Sequence, residues 1–237
     1  MKTVGSRQNA LFKRVREALR RHDDEIVLEG RKQVEDALAQ GWKPIELITR
    51  GLVREGATAF TPELFDALSD TRSPQDVIAL FERPRATFED LDSQRLIVAL
   101  DGVQDPGNVG TIIRLAAAFD AGGVALLPGS ADPFSPKAIR ASAGSALTVP
   151  IAAATSEQMI ASGLSIYYAD AKGRSTTPPS SRAILVFGSE GTGVSEEIRR
   201  GATAIGVSIS MSDRVESLNV AASAAILLSR VWEGSKR

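Results

Sequence analysis

The chain has 237 residues, 43% of them hydrophobic, and a formal net charge of −1. That is enough for one large globular domain or two small ones, and it argues against a binder of polyanions acting through total charge. With no cysteine and His22 as the one histidine, disulfides and thiolate metal sites are excluded, and a His-based triad or His-rich metal centre has no material. Chemistry must come from Asp, Glu, Arg, Lys, Ser, Thr, Tyr or Asn, or from a bound cofactor.

Residues 6–21 read as an amphipathic helix with Ser6 as its N-cap and Ala10, Leu11, Val15, Ala18 and Leu19 along one face. Residues 1–21 also carry seven Lys/Arg and one acid, Glu17. Such a patch meets phosphates, or is a solvated helix face. The start has no apolar core like that of a secretory signal, and no apolar run is long enough to span a membrane. A cytoplasmic protein without a membrane partner is expected. Next come a strand at Glu25–Gly30, a helix at Arg31–Gly41 stopped by Gly41, and a strand at Pro44–Thr49. Thr61-Pro62 opens a helix, and Val77–Glu82 is a third strand. This is a small α/β unit. Arg83–Arg95, polar and Pro-containing, reads as the linker.

The pattern restarts at Leu96. Leu96–Leu100, Gly123–Leu127, Ser165–Ala169, Ala183–Phe187 and Ala204–Ile209 are short apolar strands. A helix follows from Asn108 to Phe119, and the last helix runs from Ser217 to Trp232. Apolar strands alternating with helices predict a mostly parallel sheet covered on both faces. No G-x-G-x-x-G follows the first of these strands, so an ordinary dinucleotide fold, and with it an oxidoreductase, is disfavoured.

Three blocks stand out. Asp105–Arg114 (DPGNVGTIIR) places a turn before a helix that Asn108 caps, with Arg114 near the second turn; a phosphate sits well there, and so does an ordinary capped helix with an exposed Arg. Leu185–Gly193 (LVFGSEGTG) runs a buried strand into a turn whose Gly188, Gly191 and Gly193 permit close backbone approach. Glu190 repels phosphate, and the P-loop Lys is absent, so the turn suits a cationic or polar ligand, unless it is a plain strand–turn–helix link capped by Ser195. Ile209–Ile226 carries a polar loop to Ser217-Leu218-Asn219 and a small-residue run, Ala221–Ala225, that lets the last helix pack tightly.

In this order the three blocks resemble the signature motifs of the SpoU (TrmH-type) RNA ribose 2′-O-methyltransferases of the SPOUT class. The resemblance spans nearly the whole chain. It implies an α/β fold: a trefoil-knotted methyltransferase domain over residues 95–237, preceded at 1–85 by a small L30e-like RNA substrate-binding domain whose RNA-facing residues are Arg7, Asn9, Lys13, Arg31 and Lys32. It implies S-adenosyl-L-methionine as cofactor, RNA as substrate (ribosomal before transfer RNA), no metal, and a homodimer through the catalytic domain. Asn108 and Arg114 match the first motif, where the Arg is proposed to activate the ribose hydroxyl. Glu190, Ser217 and Asn219 complete the catalytic set. Cofactor contacts fall to Asp170, Gly188, Glu190 and Gly193, and to Ile209, Met211, Leu218 and Asn219. Where the family reads Ile-Pro-Met-x-Gly, this chain reads Ile209-Ser210-Met211-Ser212-Asp213, a looser loop in which Asp213 is available to the cofactor's positive end. A thiostrepton-resistance type of role and a non-catalytic RNA-binding role are the alternatives.

Overall fold

The computed structural model describes residues 3–21, 23–69, 76–174, 177–201, 204–212 and 214–236; His22 and Asp213 lie outside the described residues. Two units emerge, Met1–Pro84 with Phe134–Pro136, and Arg85–Pro133 with Lys137–Arg237.

The first unit contains α1 (Ala10–Arg21), β1 (Glu25–Glu29), α2 (Arg31–Ala39), β2 (Pro44–Arg50), β3 (Thr58–Phe60), α3 (Pro62–Asp66) and β4 (Val77–Glu82). Its sheet runs β1-β4-β2-β3, antiparallel except for the β2–β3 pair. Val27, Ile48, Ile78 and Leu80 meet Phe12, Val15 and Ala18 of α1 and Leu64 and Phe65 of α3 in one cluster. Successive strand residues alternate faces, so Ile26, Leu28 and Ala79 point the other way, where α2 packs on β1 and β4.

The start of α1 departs from the sequence expectation. Asn9, not Ser6, is the cap: its Oδ1 accepts the N–H of Leu11 at 2.9 Å and of Phe12 at 3.3 Å. Ser6 Oγ instead accepts from Gln8 in the turn before. The later start shifts the buried stripe. Ala10 is exposed, and Phe12 is 1% exposed and lies 6.4 Å from the Phe60 ring. The helix at Thr61-Pro62 forms as expected, with Thr61 Oγ1 accepting the N–H of Leu64.

The second unit contains β5 (Ile97–Asp101), α4 (Pro106–Ala118), β6 (Gly123–Leu126), α5 (Pro136–Ser142), β7 (Ile151–Ala153), α6 (Ser156–Ala161), β8 (Ser165–Arg174), β9 (Ala183–Gly188), α7 (Glu196–Arg199), β10 (Ile205–Val207) and α8 (Val220–Ser235). Every strand pair is parallel, in the order β10-β8-β9-β5-β6-β7. The mostly parallel sheet expected from the apolar runs is therefore present. Residues 85–95 pack as part of this unit and are not a free linker. Ala86 bridges to Ala152, Thr87 and Asp90 form a capping box, and Phe88 and Leu91 are buried with Ile97, Ile184 and Val186. α6 and α7 close that face through Met159 and Ile198. On the other face α8 packs against α4 and β9.

All carboxyl ends of this sheet lie along one edge. From β5 the chain builds outward to β6 and β7, then crosses over to β8, inserts β9 between β8 and β5, and ends with β10 at the far edge. The crevice beside such a reversal is where open parallel sheets bind ligands. Here it opens between the second half of β8 and the loops that follow β9 and β10.

Phe12→Ala is expected to lower the stability of the first unit by about 3–5 kcal/mol, the usual cost of emptying a fully buried aromatic site. Urea denaturation followed by circular dichroism measures it, and an unchanged midpoint contradicts the packing described for α1.

Candidate active site

The loop after β9 is closed by its own backbone. Ser189 and Gly193 exchange N–H···O=C bonds at 3.1 and 3.0 Å, and the Ser189 and Thr192 hydroxyls pair at 2.8 Å. Gly193 takes the left-handed conformation (φ 71°) that this turn requires. Gly188 is needed for space: a Cβ there would lie 2.1 Å from the Gly193 carbonyl carbon and the Val194 nitrogen. The far end of the loop is pinned where the Ser195 N–H donates to Asp101 Oδ2 at 2.7 Å, from the end of the neighbouring strand. Glu190 is thereby left exposed at the tip.

α4 begins one turn earlier than its Asn suggested. Asp105 is the N-cap, its Oδ1 accepting the Asn108 N–H at 3.0 Å with Pro106 at the first helical position. Asn108 therefore lies inside the first turn with its amide free to reach out, and Nδ2 donates to Glu190 Oε1 at 2.6 Å. Asn219 caps α8, its Oδ1 accepting the N–H groups of Ala221 and Ala222, and its Nδ2 donates to Asn108 Oδ1 at 3.3 Å. Asn219, Asn108 and Glu190 thus form one hydrogen-bonded chain that joins the three sequence blocks.

A cleft of about 640 Å³ opens beside this chain, within the range of small-molecule sites. Its floor is backbone and apolar side chain: Phe187, Gly188, Val207, Ile209, Leu218 and Leu227. Among the described residues its charged lining is Asp170, Glu190, Glu216 and Arg199, three carboxylates against one guanidinium. Glu190 makes no ion pair with a described residue. The cleft therefore favours a ligand that carries positive charge.

The SpoU rRNA methylase family model matches residues 95–229, more than half of the chain. The chain belongs to the SpoU rRNA methylase family. A Bacillus subtilis 23S rRNA (guanosine(2553)-2′-O)-methyltransferase is 30% identical over 86% of this chain and 86% of its own length. The AdoMet-bound rRNA methyltransferase of Sinorhizobium meliloti is 32% identical and superposes with a TM-score of 0.85 over 98% of each chain. The SpoU methyltransferase AviRb of Streptomyces viridochromogenes, solved with AdoMet, is 25% identical with a TM-score of 0.82 over 96% of this chain and 98% of its own.

Within this SpoU fold, all eight residues expected at the cofactor line the cleft: Asp170, Gly188, Glu190, Gly193, Ile209, Met211, Leu218 and Asn219, as does Ser217. Asp213 lies outside the described residues. Arg114 is not in the cleft. It is six residues beyond Asn108 on α4, roughly 9 Å along the axis and roughly 120° away around it. There it is exposed, with no hydrogen bond or ion pair to a described residue. Arg199, which sequence reasoning missed, lines the cleft from a four-residue helix too short to announce itself.

The residues expected to face RNA do not form one patch. Arg7, Asn9 and Lys13 lie at or on α1, whereas Arg31 and Lys32 begin α2, on the opposite face of the first sheet. Asn9 serves as a cap, Lys32 pairs with Asp36 at 2.9 Å, and the basic run of α1 is offset by Glu17 with Arg20 and Arg21 and by Glu25 with Arg14.

Two tests follow from this geometry. Gly188→Ala is expected to abolish saturable binding of S-adenosylhomocysteine in calorimetric titration; retained binding contradicts the closed turn. The second concerns Asp105, whose carboxyl is held below its usual 3.8 by the Lys137 ammonium and then by the Asn108 N–H. A lowered folded value stabilises above the unfolded value and is lost as pH falls through the folded one. Asp105→Asn should therefore be less stable than the parent above about pH 5, with the gap closing below it. Urea midpoints between neutral pH and acid measure this, and a gap that widens in acid contradicts it.

Proposed function

We propose that this protein is an S-adenosylmethionine-dependent methyltransferase acting on the ribose 2′-hydroxyl of a nucleotide in structured RNA, with 23S-type ribosomal RNA as the substrate. The observation that carries the reading is Glu190, presented without a cationic partner among the described residues at the tip of the Gly188–Gly193 turn, beside a cleft whose described lining is net negative. S-adenosylmethionine, with its sulfonium, supplies an electrophilic methyl group at such a site. The residues fit it: Gly188 closes backbone onto the cleft, Ile209 and Leu218 offer apolar walls and peptide groups to an adenine, and three carboxylates outnumber one guanidinium. The relatives support the chemistry, since the Bacillus subtilis enzyme is named for 2′-O-methylation and two of the solved relatives hold AdoMet.

The role of the chain is mainly orientation, as in-line attack by the 2′-oxygen on the methyl demands. Asn219, Asn108 and Glu190 fix the mouth of the cleft as one hydrogen-bonded chain, and Ser217 lines the cleft beside Asn219. A guanidinium keeps its proton under ordinary conditions and is a poor proton acceptor, so Arg114 is not the general base. It positions a substrate phosphate and stabilises developing oxyanion charge. Since it faces away from its own chain's cleft, it acts in a homodimer formed through the catalytic unit, as the resemblance implies. The proposed trefoil crossing lies in the chain between β10 and α8. The first unit serves as the L30e-like RNA-binding domain, with Arg7 and Lys13 of the α1 side as its RNA contacts, since Arg31 and Lys32 lie on the opposite face of the sheet. The working compartment is the cytoplasm.

The test is transfer of labelled methyl from S-adenosylmethionine to ribosomal RNA from a strain lacking the gene, followed by alkaline hydrolysis. Label in alkali-resistant dinucleotides is expected, because a 2′-O-methyl group blocks cleavage. Label in mononucleotides means base methylation and contradicts the reading, as does no transfer. Transfer confined to tRNA reassigns the substrate. Arg114→Ala should lower transfer by about 100-fold or more while S-adenosylhomocysteine affinity stays within about twofold; a parallel loss of affinity contradicts its placement outside the cleft.

A further inference from the structure

The cofactor reading leaves one charged feature of the cleft without a use. Arg199 and Asp170 both line the cleft, and their Nη2 and Oδ2 atoms lie 2.8 Å apart. Asp170 is oriented from behind, since its Oδ1 accepts the N–H of Lys172 at 2.8 Å. Its side chain is only 18% exposed, against 40% for Arg199. The Arg199 guanidinium also lies over the Tyr168 ring, 5.5 Å from its centroid. Two contacts therefore fix the guanidinium, and among the described residues only one of its five N–H donors is engaged by a side chain.

Arg199 is also the one cation among the described residues that line the cleft; the other charges there are carboxylates. A ligand bearing a carboxylate has this single partner in the cleft wall. An ammonium on the carbon that carries the carboxylate meets Asp170 beside it. An α-amino acid presents that pair of charges on one carbon.

We propose that Arg199 and Asp170 together recognise the amino-acid end of the cofactor, the guanidinium taking the α-carboxylate and Asp170 the α-ammonium. The inference rests on the S-adenosylmethionine reading above and adds a specificity element to it. The plain alternative is that the pair only fastens α7 to the middle of β8, as surface ion pairs of little consequence do.

Titration of the full chain with two ligands separates these. S-adenosylhomocysteine has the amino-acid tail; 5′-methylthioadenosine keeps the nucleoside and thioether and lacks the tail. Arg199→Gln is expected to weaken S-adenosylhomocysteine about tenfold or more, the scale of a lost charge-assisted hydrogen bond, and to leave 5′-methylthioadenosine within about twofold. Asp170→Asn should show the same selective loss, and Arg199→Lys should restore part of it. Retained 5′-methylthioadenosine binding reports that each variant is folded. Equal losses on both ligands, or no loss on either, overturn the proposal and leave the cofactor reading standing. If the parent protein binds neither ligand, the cofactor reading itself falls and takes this inference with it.

Discussion

Two hydrogen bonds hold the candidate site together. Asn219 donates to Asn108 at 3.3 Å and Asn108 donates to Glu190 at 2.6 Å, linking positions 82 and 111 residues apart in sequence. Each partner is available for a local reason. Asp105 takes over the helix cap and frees the Asn108 amide. The closed Ser189–Gly193 turn lifts Glu190 to its tip. Asn219 uses its oxygen on its own helix and has its nitrogen left to offer. A parallel sheet with its carboxyl ends on one edge is what brings three such termini to one place.

The electrostatics follow from that arrangement. Helix starts favour anions, yet the cleft walls carry Asp170, Glu190 and Glu216. A phosphate held inside would face all three. The carboxylates therefore disfavour a phosphate inside the cleft and suit a ligand with positive charge, while Asn108 at the mouth is tied to Glu190 at 2.6 Å.

Much of this was legible in the sequence. Apolar runs without alternation marked β5 and β9 because buried parallel strands are covered on both faces. The glycines of Gly188–Gly193 marked a close approach because a Cβ at Gly188 has no room. Other features were not legible. Asp105 and Asn108 are both good caps, and only the structure shows which one the helix uses. β7 has three residues and α7 has four, so neither is long enough to repeat a hydrophobic pattern, and Arg199 went unnoticed with α7. Arg114 was read into the site from its motif, but the helical repeat turns it away from Asn108. The basic residues of the first unit were close in sequence, yet α1 and α2 carry them to opposite faces of the sheet.

The central claim is that the three blocks act as one site through Asn108. A double-mutant cycle on S-adenosylmethionine affinity, with Asn108→Ala, Asn219→Ala and the double variant titrated by calorimetry, tests it directly. Coupling above about 0.5 kcal/mol is predicted, because each single change already breaks the shared chain. Losses that add within about 0.3 kcal/mol would mean that the two asparagines serve the cleft separately, and would contradict the account.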